Sequence, residues 1–205
     1  PPLPVIRDLY AAEVSYVDYC MGRLMDALEK MKLLDDTIVV FTTDHGTTVG
    51  ELGYVQKQAA LLNSLVMHLP ETITNTERST AGKRVAELVS AMDFAPTFCH
   101  MLGIDDQQQM DGRNAWDLVT GKADRLHDRV FTQFGNFASV RDEDWHYFQH
   151  IRGKNPGAGP CLYDLAADPG ETKNVLEKHS DQVEAMRGQL AERLKQELPE
   201  TVPVA

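Results

Sequence analysis

The chain has 205 residues, 42% of them apolar and 25% charged, enough for one large domain or one and a half with a substantial core. Twenty Lys and Arg stand against thirty-one Asp and Glu, a formal net charge of −11, so no face can gather the basic patch that nucleic acid or an anionic membrane needs. The longest apolar runs are four residues, as at Ile38-Val39-Val40-Phe41, far below the roughly 20 that span a bilayer.

The chain opens Pro1-Pro2-Leu3-Pro4, with neither an initiating Met nor a signal-like region, and we read it as a processed chain or a fragment. From Tyr10 the apolar positions run Tyr10, Val14, Val17, Met21, Leu24, Leu28 and Met31, steps of four and three that predict one long amphipathic helix. A strand signal follows at once, so the stripe is expected to pack on a sheet rather than in a coiled coil. After an Asp35-Asp36-Thr37 turn, Thr37 to Thr42 is β-branched and apolar without alternation, the pattern of a central strand covered on both faces of a parallel sheet. Asp44, His45 and Gly46 come directly after it, at the carboxyl edge where open α/β sheets gather ligands.

Leu65 to Leu69 reads as a second short strand ending at Pro70, and Glu71 to Lys83 as a surface loop. Val85 to Met92 suggests another buried element. Asp93 is placed to cap a helix that carries Pro96 in its first turn, shows Phe98, Met101 and Leu102 to a core, and stops at Gly103. Beyond Asp124 the pattern changes to short strand-like runs at Val130–Phe134, Phe137–Arg141, Trp145–Ile151 and Leu162–Leu165, separated by Gly135-Asn136, Asp142-Glu143-Asp144 and the Gly/Pro-rich Gly153–Pro160. This predicts a small antiparallel sheet. A closing helix with Val183, Met186, Leu190, Leu194 and Leu198 on one face covers it, with Trp145 and Tyr147 packed beneath. Boundaries therefore fall at 1–123 for an α/β part and 124–205 for a sheet-plus-helix subdomain.

A carboxylate and an imidazole on consecutive residues past a strand end can converge on one cation, although an Asp-His-Gly turn by itself also fits a plain cap or turn. Cys20, Cys99 and Cys161 are widely spaced and suit neither a disulfide framework nor a zinc knuckle; they read as core thiols. The remaining histidines show no ligand spacing with one another.

Several stretches taken in order carry a resemblance. Thr37-Ile-Val-Val-Phe-Thr-Thr-Asp-His-Gly46, preceded by the long helix and followed by Gly50-Glu-Leu-Gly-Tyr-Val-Gln-Lys57, resembles the second half of a type I sulfatase of the alkaline-phosphatase-like superfamily. Ser90-Ala-Met-Asp-Phe-Ala-Pro-Thr97, Met110-Asp-Gly-Arg113 and Leu162-Tyr-Asp-Leu-Ala-Ala-Asp-Pro-Gly-Glu171 resemble later landmarks of that family. The resemblance implies an α/β fold: a partial alkaline-phosphatase-like parallel sheet with flanking helices, plus the small carboxyl-terminal antiparallel sheet and its helix. Residues 1–123 would then be the carboxyl-terminal part of the catalytic domain.

It further implies a hydrolase of sulfuric esters acting on a small sulfate ester, with one divalent metal ion, calcium first and manganese or magnesium as alternatives. Asp44 and His45 match the positions that complete the metal site, and Lys57 matches a lysine that contacts the sulfate oxygens and the nucleophile. The family's nucleophile run, C-x-P-S-R or C-x-A-x-R, does not occur in this sequence, so the chain alone is expected to be inactive. The chain departs from the family at Leu52, where many relatives have His, and at Gln56, where a Gly usually precedes the lysine. A phosphonate or phosphate monoester hydrolase is the runner-up, since an imidazole at position 45 suits manganese or zinc better than calcium's oxygen shell. A non-catalytic module that keeps the fold is the third reading.

Overall fold

The computed structural model describes residues 1–50, 55–56, 63–70, 82–104, 110–152 and 159–198. These form two compact units, one ending at Lys83 and the other beginning at Arg84.

The first unit opens with helix α1, Leu3–Lys30. Pro4 sits in its first turn, where a missing N–H costs nothing, and Lys30 lies in the last turn, where a cation complements the helix dipole. Its amino end is tied down: Arg7 Nε donates to the Val49 carbonyl at 2.9 Å, and Leu3 packs against Gly50, whose φ of 113° only glycine adopts freely. The helix matches the apolar period, but the expected packing of its stripe on a sheet does not hold among the described residues. No residue of α1 is buried, and Tyr10, Val14, Val17 and Leu24 are 44–52% exposed. Cys20, expected in a core, is exposed on the same helix.

A 3-10 turn at Leu34–Asp36 leads into β1, Val39–Thr42. Its neighbour is β4, Leu65–His68, and the pair is antiparallel, Val39 opposite His68 and Thr42 opposite Leu65. The second strand was expected; the direction was not, because an unbroken apolar run reports burial and says nothing about which way the partner runs. β1 is also only half-buried, where full cover on both faces was expected. Between them β2, Thr48–Val49, pairs antiparallel with β3, Val55–Gln56.

In the second unit, residues 84–90 contain no helix or strand, and Val85 and Met92 are 40% and 44% exposed, so the buried element expected there is absent. Its apolar residues are too few and too irregularly spaced to make a continuous face. A 3-10 turn at Ala91–Asp93 runs straight into α2, Phe94–Met101. Ser90, not Asp93, is the capping residue: Ser90 and Asp93 form a reciprocal capping box. The helix ends before Gly103 (φ 65°) as expected, but Leu102 is 60% exposed rather than in a core. α3, Trp116–Thr120, follows and stops at Gly121 in the left-handed region.

The four carboxyl-terminal strands lie close to the boundaries that alternation and turn residues predict. β5 (Val130–Phe134), β6 (Phe137–Arg141), β7 (Trp145–His150) and β8 (Cys161–Asp164) form one antiparallel meander in that order. Gly135, at φ 56°, makes the tight β5–β6 turn, and the Asp142 carboxylate accepts from the Asp144 and Trp145 amides to make the next. The closing helix α4, Ser180–Leu194, places Met186 and Leu190 on Ala138, Val140, Tyr147 and Leu162, all fully buried. Burial pushes the Tyr147 hydroxyl well above its ordinary pKa, and that hydroxyl donates to Gln149 Oε1 at 2.6 Å. The α/β class with its small antiparallel sheet and covering helix is thus present.

Candidate functional site

Asp44 and His45 leave the carboxyl end of β1 in a loop held from two sides. Thr42 Oγ1 donates to the Ser64 carbonyl at 2.8 Å and Asn63 Nδ2 donates to the Asp44 carbonyl at 3.1 Å. Both partners come from the residues just before β4, so antiparallel pairing brings them beside the loop.

Within the loop the His45 amide donates to Asp44 Oδ1 at 3.0 Å, which orients the carboxylate. His45 Nδ1 lies 2.9 Å from the Gly46 carbonyl. A carbonyl oxygen only accepts, so Nδ1 carries the hydrogen and the neutral ring keeps its lone pair on Nε2. That Nε2 is 3.3 Å from Asp44 Oδ2. Two electron-rich atoms at this separation repel unless a cation sits between them: either a proton on Nε2, giving an ion pair, or a metal ion. Two donors of one metal ion at about 2.1–2.3 Å and near a right angle stand about 3.0–3.3 Å apart, so the spacing fits a shared cation. The Asp44 side chain is 85% exposed and that of His45 28%, so the pair is open to an incoming ion.

Two ligands do not complete a shell. Among the described residues no group of three or more His, Cys, Asp or Glu side chains is placed to hold a metal ion. The donor set that is present, one carboxylate and one imidazole locked by a backbone carbonyl, fits part of a divalent site. Lys57 lies outside the described residues.

Two clusters that sequence reading did not assemble lie in the second unit. Asp93, 1% exposed, accepts from the Ser90 amide (2.7 Å), the Arg113 amide (2.7 Å) and His127 Nε2 (2.8 Å). Its partners at 113 and 127 are too distant in sequence for local pattern to reveal. Glu171 joins Arg141 Nη1 through one carboxylate oxygen and His146 Nδ1, at 2.6 Å, through the other. The other histidines have packing or hydrogen-bonding roles, as expected: His68 Nε2 with the Leu34 carbonyl, and the rings of His100, His150 and His179 against Trp116, Phe137 and Trp145.

Comparison with known proteins shows what the chain is similar to. A family model described as "Sulfatase" matches residues 5–104. The chain is 27% identical over 195 residues to arylsulfatase K of Xenopus laevis, covering 88% of this chain and 35% of that protein. It is 28% identical over 182 residues to N-acetylglucosamine-6-O-sulfatase of Bacteroides thetaiotaomicron, covering 84% and 32%. Among solved structures, the phosphonate monoester hydrolase of Agrobacterium radiobacter superposes with a TM-score of 0.72 at 25% identity, over 94% of this chain and 42% of that one. A protein solved with its substrate D-glucosamine-2-N,6-O-disulfate shares the fold at a TM-score of 0.66 and 22% identity, over 89% and 39%. The chain spans about a third of the length of the curated relatives it matches. The chain is thus similar to sulfatases along most of its length and shares the alkaline-phosphatase-like fold.

Proposed function

We propose that this chain is the carboxyl-terminal portion of a metal-dependent sulfatase that hydrolyses small sulfuric esters, and that it is inactive alone. The observation that carries the reading is the convergence of His45 Nε2 and Asp44 Oδ2, 3.3 Å apart, at the carboxyl end of β1. Asp44 and His45 would hold one side of a divalent ion, calcium or else manganese or magnesium. Such an ion supplies positive charge that offsets the charge building on the ester oxygens. Lys57 would contribute an ammonium to the sulfate oxygens, a needed attraction in a chain of net charge −11. The Gly46 carbonyl fixes the His45 ring so that Nε2 stays available. The absence of a C-x-P-S-R or C-x-A-x-R run supports inactivity in isolation, since a polarised ester still needs an attacking group.

Phosphonate monoester hydrolysis is the second reading, favoured by the imidazole at position 45 and by the likeness to the Agrobacterium enzyme. Calorimetric titration with calcium and with manganese tests the site. Wild type is expected to bind one ion and Asp44→Ala none, with stabilisation of about 2.7 kcal/mol at a hundredfold excess over Kd. Equal heats from both proteins would remove Asp44 from any site. Turnover of 4-nitrophenyl sulfate or a 4-nitrophenyl phosphonate ester by the chain alone would overturn its inactivity and decide between the two chemistries.

A further inference from the structure

The sheet β5–β8 is covered on both sides. One face carries Val140, Tyr147 and Leu162 beneath α4; the register puts Arg141, His146 and Tyr163 side by side on the opposite face. Onto that opposite face comes the segment between β8 and the turn before α4. Its ends are fixed by backbone bonds, Leu165 N–H to the Asp144 carbonyl and Val175 N–H to the Leu162 carbonyl, both 2.8 Å. Next to those ends, Asp164 Oδ1 takes the Ala167 amide (2.9 Å) and Asn174 Oδ1 takes the Leu162 amide (3.0 Å); between them, the carboxylates of Asp168 and Glu171 hold it. Asp168 accepts from the Thr172 amide (2.7 Å), the Thr172 hydroxyl (3.0 Å) and the Lys173 amide (2.8 Å), closing the inner turn. Glu171 reaches the sheet, bonded to Arg141 and His146.

We propose that residues 166–174 form an acid-releasable strap: Glu171 latches it to Arg141 and His146, and protonation of that carboxylate frees the strap while the α4-covered face of the sheet stays folded. Three features support this. First, Glu171 has φ 53°, a left-handed conformation that a non-glycine residue leaves once its contacts are lost. Second, with the ring hydrogen on His146 Nδ1, the Glu171 carboxylate accepts from that nitrogen at 2.6 Å through one oxygen and from Arg141 Nη1 through the other, an arrangement that favours the anion over the acid. Third, the latch and the α4 core lie on opposite faces, so opening one need not disturb the other.

The groups acting on Glu171 are Arg141 from β6 and His146 from β7, with the Tyr163 ring of β8 against His146 and Asp168 and Lys173 in the strap itself. Burial alone would raise the Glu171 carboxyl. The hydrogen bond and charge of His146, then those of Arg141, outweigh it and hold the carboxyl below its ordinary value. Asp168 is lowered too: desolvation acts upward, and the Lys173 and Thr172 hydrogen bonds together with the Lys173 charge overcome it. The direction is the same for both. With folded values depressed, each stabilises the closed strap fully above the ordinary carboxyl range, about pH 4–5, and loses that contribution as pH falls through its folded value.

Hydrogen exchange of the full chain, read by mass spectrometry and corrected for intrinsic rate, tests this between about pH 7 and about pH 3. The Asp168 and Glu171 amides, held by backbone carbonyls rather than by the Asp168 carboxylate, are expected to lose protection at least about tenfold in acid while the β6 and β7 amides keep theirs. Glu171→Gln is expected to show the open strap already at neutral pH, with Asp168→Asn loosening only the inner turn. Strap protection that persists in acid, or that disappears only together with β6 and β7, overturns the proposal. So does a folded Glu171→Gln variant that protects the strap like wild type. If that variant does not fold, the wild-type pH series decides alone.

Discussion

Asp93 gives the sharpest test of how the second unit is held together. Its side chain is 1% exposed and accepts from two backbone amides, Ser90 and Arg113, each at 2.7 Å, and from His127 Nε2 at 2.8 Å. Asp93→Ala removes every one of these acceptors. His127, with 16% of its side chain exposed, can turn to water, but the two amides cannot follow it. A buried donor left unsatisfied costs about 1–3 kcal/mol, so these two part-buried ones cost up to about 2–6 kcal/mol. Asp93→Asn keeps one acceptor oxygen and turns its amide group towards the remaining donors, for roughly half that loss. Urea unfolding followed by tryptophan fluorescence is well suited, because both tryptophans, Trp116 and Trp145, report on this unit. At a slope of about 2 kcal/mol per molar urea, a loss of about 4 kcal/mol moves the midpoint down by about 2 M. An Asp93→Ala protein within about 1 kcal/mol of wild type would refute the hub, and would mean that Ser90 and Arg113 find other acceptors.

Two glycines separate backbone approach from helix propensity. A Cβ at Gly112 would stand 1.9 Å from the Met92 carbonyl oxygen, which is backbone and cannot swing aside, so Gly112→Ala is expected to cost about 1–3 kcal/mol or more by thermal melting. Gly188 lies within α4 with nothing within 4 Å of its Cβ position, so Gly188→Ala is expected to raise stability by about 0.5–1 kcal/mol. Leu190, fully buried under α4, should lose about 2–5 kcal/mol on truncation to Ala, while Val14→Ser on the 52% exposed stripe of α1 should change stability by less than about 0.5 kcal/mol. Equal effects at positions 14 and 190 would show that the α1 stripe is covered in solution.

What the sequence made legible depended on how local the signal was. The strands β5–β8 were readable because each alternates or runs apolar between turn residues that set its ends, and α4 because Val183, Met186, Leu190 and Leu194 repeat at helical spacing. Helix α1 was equally plain as a helix, yet the same stripe misled about its cover, since periodicity shows which face is apolar and not what lies on it. Asp93 was assigned a local task, capping, when its side chain answers to residues 20 and 34 positions away. Glu171 stood out only as the end of the Leu162–Glu171 landmark; its partners, Arg141 and His146, are 30 and 25 residues back on two other strands. The Asp44-His45 pair was found because consecutive residues past a strand end need no distant partner to be noticed.

The direction of the β1–β4 pair explains both what the sequence missed at the candidate site and why that site is ordered. In a parallel arrangement the carboxyl end of one strand lies beside the carboxyl end of its neighbour, and the loop after β1 would meet another outgoing loop. Antiparallel pairing instead puts the incoming residues of β4 there. With Thr42 opposite Leu65, the chain just before β4 runs back alongside Asp44, and Ser64 and Asn63 fall where they can hold Thr42 Oγ1 and the Asp44 carbonyl. A slip of one residue in that register would turn every side chain of β4 to the other face and carry Asn63 away from Asp44. The geometry of the Asp44 carboxylate and the His45 ring is therefore inherited from strand register. Asn63, which carries no chemistry itself, belongs to the site because the register delivers it.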